Sequence, residues 1–414
     1  MATQPALVAP FRGERYRATE RLSRLIAPPY DVISADQRAT LAARDPHNVV
    51  HVMLPEAADV GDRYRQAARL LAVWRAEGVV VRDPEPTVYV MAQTFTLPSG
   101  ERRMRTGVFA AVAAEGYGPR RIRPHEKTHR GPIADRLALL RATATNLESI
   151  FLIAPDGDGS LAASLAGVTK RPPDATAELE GVEIALWVER GDPSPIPLPT
   201  SPLYIADGHH RFETASTFAA ERPGAGRLLA FIASARDPGL VVLPTHRIIF
   251  GAGRGPSLLL PQWRERFEVE PLAPGGDPVA RLAAVPPDRT ACVVLGPAGL
   301  EVLLTLDADA DLGGIAATEP NAVVRALDIT RIEHFVVREI ISSGEATVTL
   351  DYSADAAKAI GIARSERAAA VAVLVRPSRV EQVFAVADAG GVMPPKSTYF
   401  VPKVPSGLVL RPLD

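Results

Sequence analysis

Leu203-Tyr-Ile-Ala-Asp-Gly-His-His-Arg-Phe-Glu-Thr-Ala215 is the stretch on which the fold of this chain turns. An apolar run with strand character stops at Asp207-Gly208. Two histidines and an arginine follow, and residues 212–221 are compatible with a helix. A strand-to-helix turn of this kind suits phosphate. The N–H groups of a helix start favour an anion, and the Arg211 guanidinium can hold two of its oxygens in a fork. Gly208 permits close backbone approach. Asp207 has the chemistry to bind Mg²⁺ or to orient a nucleophile, and His209 and His210 can stabilise a transferring phosphoryl group. The plain alternative is a capping turn with solvated histidines, because Asp-Gly is a common turn pair.

Outward from the turn, the pattern is that of alternating strands and helices. Residues 87–97 and 103–114 read as a hairpin about Pro98-Ser-Gly100. Residues 149–154, 182–188, 227–233 and 240–250 read as further strands. Residues 62–78 read as an amphipathic helix, and another helix carries Asp135-Arg136. Ser34 and Gln37 have the spacing of a capping box. The stretch Gly251–Pro256 is the clearest boundary. It divides a core over residues 1–250 from a smaller α/β region over 251–414, whose C-terminal segment has the polar composition to return to the site. The fold class is therefore α/β (α+β).

The formal net charge is −2, with no basic block long enough for a nucleic-acid arm, so duplex DNA is not an expected partner. The single cysteine, Cys292, excludes a disulfide framework and fits a reducing, cytoplasmic setting. Neither a secretion signal nor a membrane-spanning run is expected. The sequence is silent on oligomeric state.

A second polar segment, Arg123-Pro-His-Glu-Lys-Thr-His129, contains the H-E-x-x-H pattern of zinc hydrolases. That chemistry needs His125 and His129 on one face of a continuous helix. Pro124 and Gly131-Pro132 bracket the segment and leave about two turns at most. A polar active-site loop, with Glu126 as base or metal ligand and Lys127 or His129 meeting phosphate, is the better reading. Tyr30 and Asp31 follow Pro28-Pro29. Asp31 is either a substrate or metal contact or a cap for the next helix. His246-Arg247 is either a paired structural charge or an anion contact. Lys396, Ser397, Lys403 and Ser406 form a second cationic, hydroxyl-rich group, or else a solvated tail. No P-loop, complete dinucleotide fingerprint or G-x-S-x-G elbow is present.

Together, Ala27-Pro-Pro-Tyr-Asp-Val32, His125-Glu-Lys-Thr128, Asp135-Arg136-Leu137, Tyr204-Ile-Ala-Asp-Gly-His-His-Arg211, Leu243-Pro-Thr-His-Arg247 and Met393-Pro-Pro-Lys-Ser-Thr-Tyr-Phe400 resemble the family filed as domain of unknown function 1015. The Asp207–Arg211 turn also resembles that of ParB/sulfiredoxin-like phosphotransferases, notably the free-serine kinases. In those proteins a Gly-x-x-Arg turn holds nucleotide phosphates, and Gly208 and Arg211 occupy its places. The resemblance implies a mixed-sheet ParB/sulfiredoxin-like phosphate-binding core. It implies a small-molecule kinase using ATP, ADP or pyrophosphate with Mg²⁺ at Asp207, and free L-serine as the leading acceptor. On this reading Glu126, Asp207, His209 and His210 are catalytic. Gly208, Arg211, His246, Arg247, Lys396 and Lys403 hold phosphate, and Tyr30, Asp31, His125 and Ser397 contact the acceptor. A nucleotide- or phosphometabolite-binding regulator without turnover is the alternative. His209 stands where sulfiredoxins carry a reactive cysteine, which argues against sulfur redox chemistry.

Overall fold

The computed structural model describes the chain except residues 1–5, 58, 119, 192–193, 201, 223, 253–254, 274, 345–346, 366–369 and 414. It divides into two compact units, Met1–Val241 with Phe400–Asp414, and Val242–Tyr399.

The first unit is built on a nine-stranded mixed sheet. Its strands in chain order are β1 (Val8–Ala9), β2 (Thr87–Thr96), β3 (Arg102–Ala113), β4 (Ile122–Arg123), β5 (Ile150–Ala154), β6 (Ala175–Leu179), β7 (Val182–Arg190), β8 (Leu203–Asp207) and β9 (Arg227–Ser234). The spatial order is β4-β8-β5-β9-β3-β2-β7-β6, with β1 against β3. Pairs β8/β4 and β9/β5 are parallel, whereas β8/β5, β9/β3 and β2/β3 are antiparallel. The mixed sheet expected from the turn is present. The central strands are buried along most of their length, and Val90, Val108, Ile150, Leu152, Ile205 and Phe212 share one apolar cluster. Its longer helices are α1 (Ala35–Arg44), α2 (Val60–Ala76), α3 (Arg130–Thr143), α4 (Ser160–Val168) and α5 (His209–Glu221). The capping box opens α1, with Ser34 Oγ accepting from Gln37 N.

The second unit holds an antiparallel six-stranded sheet. Its strands are β10 (His246–Phe250), β11 (Phe267–Pro271), β12 (Ala291–Gly296), β13 (Leu300–Leu306), β14 (Thr349–Ser353) and β15 (Ala370–Leu374). The 240–250 run is interrupted between Val241–Leu243 and His246–Phe250, where Pro244 has no N–H to give to a ladder. Because β10 pairs with β14 and β15, it belongs to the second unit. The division therefore falls ahead of the glycine-rich stretch at 251, part of which lies outside the described residues. The closing residues, Phe400–Asp414, fold with the first unit. Among the described residues no helix is long and apolar enough to cross a membrane.

Candidate functional site

Strand β8 ends at Asp207, where its register against β5 shifts between Ile205 and Asp207. Irregularities of this kind re-aim a side chain at a strand end. Gly208 then takes φ 89°, ψ 31°, and α5 starts at His209. The helix thus begins earlier than its apolar pattern indicates, because His209, His210 and Arg211 supply its first turn. The first intrahelical bond is Phe212 N–H to Gly208 O at 2.9 Å, so the N–H groups of residues 209–211 lie ahead of the ladder. A Cβ on Gly208 would stand 3.0 Å from Ile150 Cγ2 and 3.1 Å from Arg211 Nε, in left-handed backbone. Gly208→Ala is expected to destabilise the protein by about 1–2 kcal/mol, read as a lower urea midpoint. An unchanged midpoint would count against the strained turn.

Charge concentrates on Asp207. Its Oδ2 accepts from Arg211 Nη2 at 2.6 Å, and its Oδ1 pairs with Lys403 Nζ. Burial alone would raise the Asp207 pKa, but Lys403 and Arg211 outweigh it and hold the carboxyl well below the usual range. The Arg211 fork is used internally, since Nη1 donates to Ser149 O while Nη2 meets Asp207. Burial works against the Arg211 charge, and Asp207 and Glu148 overcome it. Behind Lys403, its carbonyl accepts from Gln93 Nε2 at 3.0 Å. The fully buried Arg105 donates to Pro402 O at 2.6 Å and lies over the Phe151 ring, with burial pulling its pKa down to about 9. A carboxylate already matched by two cations does not fit Mg²⁺ as a further partner. Among the described residues no three His, Cys, Asp or Glu side chains are grouped to hold a metal.

Residues 125–129 form a loop, and α3 begins only at Arg130. Gly131-Pro132 therefore opens a helix where the zinc reading needed one to continue, in keeping with the tolerance of first turns for proline. The two histidines of the motif meet different partners. His125 packs edge-on to His209, with centroids 4.7 Å apart, and His129 stacks on His210 at 5.8 Å. The His125 N–H reaches His209 Nε2 at 3.4 Å, which leaves the proton of the neutral His209 ring on Nδ1. That atom faces Glu126 Oε2 at 3.6 Å. His210 Nε2 likewise accepts from His129 N–H at 2.9 Å. The loop is tied down further by Tyr117 Oη donating to Glu126 O at 2.6 Å and by Thr128 Oγ1 on Glu213.

Burial drives His209 well below its ordinary pKa, helped by the neighbouring His125, and brings His125 down to about 4. Both rings fold neutral, so the unfolded chain takes up their protons first. Their contribution is complete above the unfolded value near 6.5 and is lost as pH falls from there towards 4. For His125 alone, about 2 kcal/mol of stability is expected to disappear between pH 7.5 and 4.5. A His125→Gln variant should flatten the fall of Tm across this window, and an equally steep fall would contradict it.

The other expected residues divide between the two units. In the first unit, Asp31 is exposed, and its charge acts on both His210 and Arg211. Burial pushes the Tyr30 hydroxyl up to about 12. In the second unit, Arg247 is 1% exposed and pairs with Glu333 Oε2 at 3.3 Å. His246 Nδ1 accepts from Val375 N–H at 3.2 Å, and burial brings its pKa to about 4. Ser397 Oγ donates to Pro394 O at 2.6 Å, and Lys396 has φ 55°. These contacts of His246, Arg247 and Ser397 lie within their own unit. Sequence reasoning missed Glu148 and Arg105. The available signal was a charge directly beside, or within, an apolar strand.

The site is thus assembled from segments that the sequence shows only as separate motifs. Solved structures that align with this chain include a conserved hypothetical protein from Pyrococcus furiosus, at 15% identity over 72% of this chain and 93% of that one, with TM-score 0.35. A free serine kinase in complex with AMP aligns at 14% identity over 71% and 87%, with TM-score 0.37. SbnI with a C-terminal truncation from Staphylococcus aureus aligns at 10% identity over 73% and 81%, with TM-score 0.35. A comparison with curated proteins finds no match. A family described as protein of unknown function (DUF1015) matches residues 8–330. That span takes in the Tyr30 loop, the His125 loop, Asp135-Arg136 and the whole Asp207–Arg211 turn, whereas 393–400 lies beyond it. The chain belongs to the DUF1015 family.

Proposed function

We propose that the protein is a small-molecule kinase, transferring a phosphoryl group from ATP, ADP or pyrophosphate to a hydroxyl compound, with free L-serine the first candidate. The observation that carries this reading is the convergence of three segments on one helix start. The His125–His129 loop, the Lys403 segment and the Tyr30–Asp31 loop all bear on the turn at Asp207–Arg211. Donor phosphates sit against the N–H groups of residues 209–211, where the helix dipole favours them. Lys403 and Arg211 supply positive charge from the Asp207 side. Glu126 accepts the proton of the acceptor hydroxyl while the donor's terminal phosphorus–oxygen bond breaks. Neutral His209 turns Nδ1–H towards Glu126 at 3.6 Å, and His210 faces the developing charge. No step is routed through a metal at Asp207. His246, Arg247, Lys396 and Ser397, grouped with the site by sequence, have no part in this mechanism.

A ³¹P NMR screen of the three donors against a panel of hydroxyl compounds tests the proposal, with L-serine first. O-phosphoserine formation is the expected outcome. Donor binding by calorimetry with no product in any combination would replace the kinase with the regulatory nucleotide-binding reading. Absence of both binding and product would overturn the phosphate site itself.

A further inference from the structure

Two buried side chains next to the site have no role in the transfer just described. Arg136 belongs to the Asp135-Arg136-Leu137 stretch, and Glu148 immediately precedes Ser149, whose carbonyl takes Arg211. They are 7% and 6% exposed and face each other at 3.7 Å, Nη1 to Oε2. Glu148 Oε1 accepts the Tyr30 backbone N–H at 2.9 Å and stands 3.4 Å from Ser406 Oγ. Ser406 in turn bridges to Ala27, just ahead of the same loop. The Arg136 guanidinium lies 4.3 Å from the Tyr30 ring centroid. It is itself held by Met53 O at 2.9 Å and Asp135 Oδ2 at 2.8 Å. One carboxylate thus grips the Tyr30 main chain while one guanidinium covers its ring. Arg136, Glu148 and Arg211 also line one pocket of about 50 Å³, and the Glu148 charge acts on Arg211. That charge is among those that keep Arg211 protonated against burial.

We infer that Glu148 and Arg136 are positioning residues. They clamp the Tyr30–Asp31 loop beside the Asp207–Arg211 turn, and the acceptor side of the site depends on the clamp more than the donor side. The second clause rests on the kinase reading. Its physical ground is Asp31, an exposed carboxylate near His210. Such a group repels a polyphosphate and attracts the ammonium of an amino-acid acceptor. Loosening the loop therefore removes acceptor contacts while the helix start that meets the donor stays intact.

The test compares Glu148→Ala, Glu148→Gln and Arg136→Met with the wild-type protein. Amide hydrogen exchange over residues 26–34, ADP affinity by calorimetry, and steady-state constants for L-serine are the readouts. In Glu148→Ala, exchange across 26–34 is expected to speed up about tenfold, the equivalent of one lost hydrogen bond to a charged group. KM for serine should rise by a similar factor, with kcat and ADP affinity changing less than about threefold. Glu148→Gln keeps an acceptor for the Tyr30 N–H and should restore slow exchange. Arg136→Met removes the guanidinium that covers the Tyr30 ring and faces Glu148, should speed the same exchange, and serves if Glu148→Ala does not fold. Wild-type exchange over 26–34 in both Glu148→Ala and Arg136→Met overturns the clamp. A fall in ADP affinity equal to the rise in serine KM overturns its assignment to the acceptor side. If the wild-type protein phosphorylates no hydroxyl compound, the kinase reading fails separately, and loop exchange alone decides the clamp.

Discussion

Glu126→Gln is expected to lower the rate of phosphoryl transfer by about 10²–10⁴-fold, the usual worth of a positioned general base. The substitution preserves volume and keeps an oxygen that His209 Nδ1 can face, as it faces the carboxylate at 3.6 Å. The Tyr117 bond to the Glu126 backbone carbonyl is untouched at 2.6 Å, so the loop keeps its course. What the amide cannot do is take a proton. The loss should therefore appear in kcat, with donor affinity and Tm close to wild type. The Glu126 side chain is about one-third exposed, which gives an acceptor hydroxyl access that the fully buried His125 lacks. Transfer rates within threefold of wild type would remove Glu126 from the base role. Asp31, an exposed carboxylate whose charge acts on His210 and Arg211, would then be the next group to test.

Much of the framework is legible in the sequence because it depends on local pattern. The hairpin of β2 and β3, the buried run of β5 and the strand ending at Asp207 all follow from apolar runs punctuated by glycine and proline. The start of α5 is not legible in the same way. Three polar residues read as loop, yet a glycine with φ 89° ahead of them begins the helix. The H-E-x-x-H pattern shows the reverse failing. Its spacing is helical, but residues 125–129 are held as a loop by contacts with His209, His210 and Glu213 that no spacing rule contains. Arg211 is placed correctly at the turn, but its fork is spent on Asp207 and Ser149 O. Long-range partners decide such cases. Lys403 reaches Asp207 across 196 positions, and Glu148 meets Tyr30 across 118. A one-dimensional reading can nominate these residues but cannot pair them.

Asp207→Ala is expected to cost about 3–5 kcal/mol of stability, since removing one member of a buried ion cluster leaves the others charged and uncompensated. The Asp207, Arg211 and Lys403 side chains are 15%, 9% and 18% exposed, so water can do little to replace the lost carboxylate. Because the folded pKa of Asp207 is depressed, its stabilisation is complete above the unfolded carboxyl value near 4. It disappears as pH falls below that value and the folded carboxyl is protonated. The gap in Tm between wild type and Asp207→Ala should therefore be constant from pH 8 to 5 and narrow below pH 4. This window is distinct from that of the buried histidines, which lies above it. The cluster also predicts non-additivity. Lys403→Met alone removes a partner from Asp207, but in the Asp207→Ala background it removes an orphaned charge and should recover part of the loss. Strictly additive effects of the two substitutions, measured by urea unfolding at pH 7, would show that Asp207 and Lys403 do not interact.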